Sequence, residues 1–78
     1  MVLVVDDDVT IAAELRTELS SYQVQVETAT DAASAIASLE ANPFCGMILD
    51  LVLANGSGFD VLEHMAKKKL TIPIVVLS

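Results

Sequence analysis

The sequence predicts an α/β fold, a parallel β-sheet with helices on both faces in the order βαβαβαβ. Three observations predict it. Unbroken apolar runs of strand length recur along the chain, at Val2–Val5, at Met47, Ile48 and Leu49, and at Ile74–Leu77, and an unbroken run, unlike an alternating one, marks a strand covered on both faces. Between the runs lie segments with apolar residues at helical spacing. Strands that alternate with helices imply a parallel sheet joined by right-handed crossovers.

Each element follows in order. The first run is β-rich and stops at three acids, Asp6, Asp7 and Asp8. Ile11, Leu15, Leu19 and Tyr22 then recur at helical spacing, with Glu14, Arg16, Glu18 and Ser20 between them, and predict an amphipathic first helix. Val24 and Val26 predict a short strand. Ala32, Ala33, Ile36 and Leu39 predict a second helix, ended by Asn42 and Pro43. The third strand stops at Asp50. Asn55, Gly56, Ser57 and Gly58 form a loop by composition. Phe59, Leu62, Met65 and Ala66 predict a third helix closed by Lys67, Lys68 and Lys69, where cations suit the helix dipole. Pro73 opens the last strand, where its missing N–H does least harm.

Composition narrows the function. The 78 residues suffice for one small domain, and 54% of them are hydrophobic with mean hydropathy +0.62. So much apolar surface must pack closely or be shared with another surface. A net charge of −7, from 11 acids against 4 bases, leaves no positive patch for tracking a nucleic-acid backbone, and it disfavours anionic lipid. The single cysteine, Cys45, excludes an intrachain disulfide and is expected to be a small buried hydrophobe. No apolar run reaches membrane-spanning length. The start lacks the basic region of a signal peptide, so a cytoplasmic location is expected. His64 is expected on a helix surface and not as a ligand.

The acids carry the chemistry. In open α/β sheets the functional crevice lies at the carboxyl ends of the strands. Asp6, Asp7 and Asp8 end the first strand, Asp50 ends the third and Ser78 ends the fourth. If the first and third strands are neighbours, their acids meet at one rim. Carboxylates so placed repel one another, and a hard divalent cation such as Mg²⁺ resolves the conflict. Such a cation neutralises charge during phosphoryl transfer, and a carboxylate beside it is a candidate acceptor. Asp8 has two readings, a member of this cluster or the cap of the next helix.

Taken together, these motifs resemble the receiver domain of two-component response regulators. Val4, Val5, Asp6, Asp7 and Asp8 resemble the family's first strand with its acidic pair. Met47, Ile48, Leu49, Asp50 and Leu51 resemble the phosphoacceptor strand, Gly58 stands at the loop glycine, and residues 72–78 resemble the fourth strand with its terminal hydroxyl. The resemblance implies a flavodoxin-like sheet and phosphorylation of Asp50 by a sensor histidine kinase or a histidine phosphotransfer protein. It also implies Mg²⁺ bound by Asp7 and Asp50, by Asp6 largely through water, and by the backbone carbonyl of Val52, with Ser78 as a switch hydroxyl. No enzyme activity is implied beyond self-phosphorylation and self-dephosphorylation.

Two departures stand out. The family's loop usually has a proline four residues after the acceptor, and here that residue is Ala54. Receiver domains also continue through a helix, a strand bearing a lysine and an aromatic switch residue, and a final helix. On that comparison residues 1–78 are expected to be the N-terminal portion of the domain, with an exposed sheet edge that favours instability, a longer parent chain or a homodimer. The absent lysine keeps open an alternative, an unphosphorylated pseudo-receiver acting as a protein-interaction module. An aspartate-nucleophile phosphatase needs a second acid two residues after the nucleophile, where this chain has Val52. A dinucleotide site is disfavoured because Val61 stands where the third glycine of the fingerprint belongs.

Overall fold

In the computed structural model, described for residues 1–77, strands and helices alternate without exception. They are β1 (Val2–Val5), α1 (Val9–Ser21), β2 (Val26–Ala29), α2 (Ala32–Ala41), β3 (Gly46–Asp50), α3 (Gly58–Lys67) and β4 (Ile74–Leu77). The four strands form one parallel sheet in the order β2-β1-β3-β4. The first strand in sequence is therefore central in space, with Val5 paired to Ala29 on one side and Leu49 on the other.

The side-chain period of two sends successive residues of a strand to opposite faces, and β1 uses both. Leu3 and Val5 pack with Leu39, Phe44, Met47, Leu49, Val61 and Met65 under α2 and α3. Val4 packs with Ala12 and Val26, supported by Leu15, Leu19 and Ile48, under α1. The unbroken apolar run of β1 is thus explained by burial on two sides. At the opposite edge β4 is thinly covered, with Val75 60% exposed and Val76 and Leu77 also exposed.

The helices turn most of their predicted stripes inward, with Leu15, Leu19, Ile36, Leu39, Leu62 and Met65 packed on the core, while Ile11, Tyr22, Ala33, Phe59 and Ala66 lie outside. In α1 the buried residue is Ala12, while Ile11 and Tyr22 are exposed. In α2 the buried residues are Ala32, Ala35 and Leu39, with Ala33 outside. In α3 they are Gly58, Val61 and Met65, and Phe59 is 63% exposed. Small residues let a helix approach the sheet closely, and a reading weighted by side-chain size misses them. Val24 precedes β2 and does not belong to it, following Gln23 in the left-handed region at φ 63°.

Cys45 is exposed, contrary to expectation. It lies just before β3 at the amino rim of the sheet, where its N–H donates to the Met1 carbonyl at 2.9 Å. That backbone pairing leaves the thiol outside the helix-covered layers.

Each helix starts at a side-chain cap. Asp31 caps α2 by accepting the Ser34 N–H at 2.7 Å, and Ser34 returns a capping-box contact. The Ser34 backbone and side-chain hydrogen bonds hold the Asp31 carboxyl below its ordinary value. A carboxyl lowered by folding stabilises the fold above the unfolded value and loses that contribution as pH falls through the folded value. The Ser34 amide resonance should accordingly titrate with a midpoint below the ordinary aspartate range, which an NMR pH titration checks.

Candidate functional site

The register of β1 and β3 builds the site. Val5 and Leu49 are partners, so the next residues, Asp6 and Asp50, stand side by side where both strands reach the carboxyl rim. Asp7 follows at the start of the turn into α1. One carboxylate oxygen from each of Asp6, Asp7 and Asp50 lies within 4.8 Å of the others. Asp6 is 4% exposed, Asp50 is half-buried and Asp7 is exposed. Asp8 is outside this group and caps α1, accepting N–H bonds from Thr10 at 3.0 Å and Ile11 at 3.2 Å.

Three carboxylates so close, one of them buried, are costly unless their charge is met. Among the described residues no lysine or arginine ion pair reaches them. Backbone amides do. The Asp8 N–H donates to Asp6 Oδ1 at 2.9 Å, the Val52 N–H to Asp50 Oδ1 at 3.0 Å, and the Ala54 N–H to Asp7 Oδ2 at 2.9 Å. Each acid thus has one oxygen tethered to the backbone, and the other is free of any hydrogen bond among the described residues. Carboxylate oxygens without histidine or cysteine suit Mg²⁺ better than zinc or softer metals. The donor set fits the cation that the sequence implies.

The loop from Leu51 to Ser57 is braced at both ends. Leu53 is buried in the α2–α3 cluster, Val52 and Ser57 form an antiparallel bridge, and Gly56 takes φ 80° where a side chain would be strained. Ser57 caps α3 in a reciprocal box with Asp60, donating its N–H to Asp60 Oδ2 at 3.1 Å and accepting the Phe59 N–H, also at 3.1 Å. Ser57→Ala should cost about 1 kcal/mol of stability by urea denaturation. Gly58 then passes so close to β3 that a Cβ there would lie 2.6 Å from the Asp50 carbonyl oxygen and 2.7 Å from the Leu51 Cα.

The structure therefore brings together Asp6, Asp7 and Asp50. Val52 lies beside them through its N–H. Ser78 lies outside the described residues. Lys67 pairs with Glu63 at 3.2 Å, at the far end of α3, roughly 14 Å along the helix axis from Gly58. His64 is half-buried and meets Glu40 of α2 at 2.6 Å, a tie between helices and not a ligand of the rim. Nothing in the sequence marked the Val52 donor, since every non-proline residue carries an N–H, whereas the Ala54 donor exists because alanine stands where the resembled family usually has proline. Among the described residues no helix is long and apolar enough to cross a membrane.

Comparison with known proteins places this geometry. The model of the response regulator receiver domain family matches residues 2–78. The transcriptional regulatory protein KdpE of Mycobacterium tuberculosis is 41% identical over 78 residues, all of this chain and 34% of KdpE. The chain thus spans about a third of the length of that curated relative. The receiver domain of Francisella response regulator 1452 superposes with a TM-score of 0.92 at 26% identity, over 99% of this chain and 64% of that one. The response regulator TrrA of Thermotoga maritima, solved in complex with Mg²⁺ and BeF, superposes with a TM-score of 0.88 at 29% identity, over 96% of this chain and 65% of that one.

Proposed function

Since the chain belongs to the response regulator receiver domain family, we propose that it is the N-terminal portion of a two-component phosphoacceptor module that takes up a phosphoryl group on Asp50. The observation that carries this reading is the meeting of Asp6, Asp7 and Asp50 at one rim, each with an oxygen left free. Asp6, Asp7 and Asp50 would hold Mg²⁺, with the Val52 carbonyl as a further ligand. When bound, the cation supplies positive charge that offsets the acids and the incoming phosphoryl oxygens.

The protein's own part is positioning and nucleophilic attack. A carboxylate oxygen of Asp50 forms the new O–P bond as the bond from phosphorus to the donor breaks. The leaving nitrogen of a phosphohistidine, or the leaving oxygen of acetyl phosphate, takes the electron pair. The Val52 N–H keeps Asp50 oriented throughout. Ser78 follows Leu77, whose carbonyl accepts the Leu51 N–H at 3.2 Å, and its hydroxyl would be the switch that turns toward the phosphoryl group.

The donor in this reading is a sensor histidine kinase or a histidine phosphotransfer protein, met in the cytoplasm. The segment itself contacts neither nucleic acid nor membrane, in keeping with its charge of −7. Any control of transcription belongs to the full-length protein. The exposed residues of β4 support pairing with a second copy along that edge. Beyond self-phosphorylation and self-dephosphorylation the module has no turnover.

The alternative, an unphosphorylated interaction module, is separated by one experiment. Incubation with acetyl phosphate and Mg²⁺ should add one phosphoryl mass, located on Asp50 and lost when Mg²⁺ is chelated beforehand. An unmodified mass with both reagents present would leave the interaction module standing.

A further inference from the structure

We propose that the backbone N–H of Ala54 is a positioning group for the cation, fixing Asp7 in the orientation from which it ligates. The proposal rests on the reading of Asp6, Asp7 and Asp50 as ligands. Three N–H tethers hold the three acids, but they differ in reach. Those on Asp6 and Asp50 come from two residues further along the chain and form within local turns. The one on Asp7 spans 47 residues and joins the β3–α3 loop to the end of β1.

Asp7 most needs such a tether. It is exposed, so packing does not choose its rotamer, and free rotation would carry its oxygens away from Asp6 and Asp50. A charge-assisted N–H bond at 2.9 Å fixes Oδ2 and leaves Oδ1 free. The donor is itself held in place, because Leu53 is anchored in the core and the Val52–Ser57 bridge closes the loop. The Ala54 side chain is exposed. The contribution of this residue is its amide. Groups that orient a metal ligand from behind commonly change affinity by 10–100-fold. Coupling of this kind is reciprocal, so cation binding tightens the Ala54–Asp7 bond and orders the loop.

The test is chemical synthesis of the chain with L-lactic acid at position 54, which turns the Leu53–Ala54 amide into an ester and deletes the N–H alone. Mg²⁺ affinity is read by calorimetry, and metal-free stability by urea. The ester chain is expected to bind Mg²⁺ about tenfold more weakly, whereas Ala54→Ser, which keeps the N–H, binds like the unaltered chain. A purely structural role would lower metal-free stability and leave the affinity of the folded chain unchanged. Should the ester chain not fold, amide exchange at Ala54 in the unaltered chain decides. It is expected to slow about tenfold on Mg²⁺ saturation, and an unchanged rate overturns the proposal. Mg²⁺ binding by the unaltered chain with equal affinity for the folded ester chain also overturns this proposal alone. No Mg²⁺ binding by the unaltered chain overturns the ligand reading beneath it.

Discussion

Gly58→Ala is expected to destabilise the chain by about 3 kcal/mol, a consequence of overpacking against backbone that has no room to give. The added Cβ would meet the Asp50 carbonyl oxygen at 2.6 Å and the Leu51 Cα at 2.7 Å. Neither atom is the far end of a flexible side chain, so the start of α3 must back away from β3. That movement pulls on the Gly58 N–H bond to the Leu51 carbonyl, now 3.0 Å. A domain of this size has roughly 4–12 kcal/mol of stability in total, and each lost kcal/mol lowers its melting temperature by about 4–8 °C. A fall well above 10 °C, roughly, is expected by calorimetry. Gly46→Ala is the control. Its Cβ would meet only the Pro73 carbonyl, at an ordinary 3.6 Å, and the substitution should be near neutral. Equal melting temperatures for the two variants would refute the close approach of α3 to β3.

Asp50→Asn is expected to abolish phosphoryl uptake while raising the stability of the metal-free chain. An amide offers no carboxylate nucleophile, so intact mass should stay unchanged with acetyl phosphate and Mg²⁺. The stability gain comes from the same cluster. Two like charges about 4 Å apart repel by roughly 1 kcal/mol in water and roughly 4 near a protein surface, and solvent at exposed Asp7 holds the net relief near the lower figure. The asparagine oxygen still accepts the Val52 N–H, so the local turn survives. Mg²⁺ should reverse the ranking. A ligand at a hundredfold excess over its Kd adds about 2.7 kcal/mol, and the variant, lacking one of three carboxylates, gains much less. Calorimetry with and without Mg²⁺ would expose an error here. An Asp50→Asn chain less stable than the parent without metal would mean that the acids are not in mutual repulsion.

The meeting of the acids was legible in the sequence because parallel strands end on the same side. Once β1 and β3 are neighbours, Asp6 and Asp50 share a rim, whereas a strand order with β2 between them would hold the two acids apart. The helix stripes were legible through Leu15, Leu19, Ile36, Leu39, Leu62 and Met65, and the small residues beside them were not. Ala12, Ala35 and Gly58 face the sheet because their smallness admits close approach, while Phe59 and Ile11 lie outside despite their hydropathy. The fate of Asp8 was open from sequence and is decided by two N–H bonds to the first turn of α1. The exposure of Cys45 follows from backbone pairing with Met1, which no property of the cysteine reports. The Ala54–Asp7 tether was half legible, since alanine in place of the family's usual proline supplies the N–H, while the bracing of the loop decides where it points.

β1 is the keel of the sheet, flanked by β2 and β3. Removing it would not fray an edge. It would part the two halves of the molecule and strip the anchor from Asp6 and Asp7 at one stroke. The amino end of the strand, at Met1, lies at the middle of the architecture beside Cys45, at the pole opposite the acids.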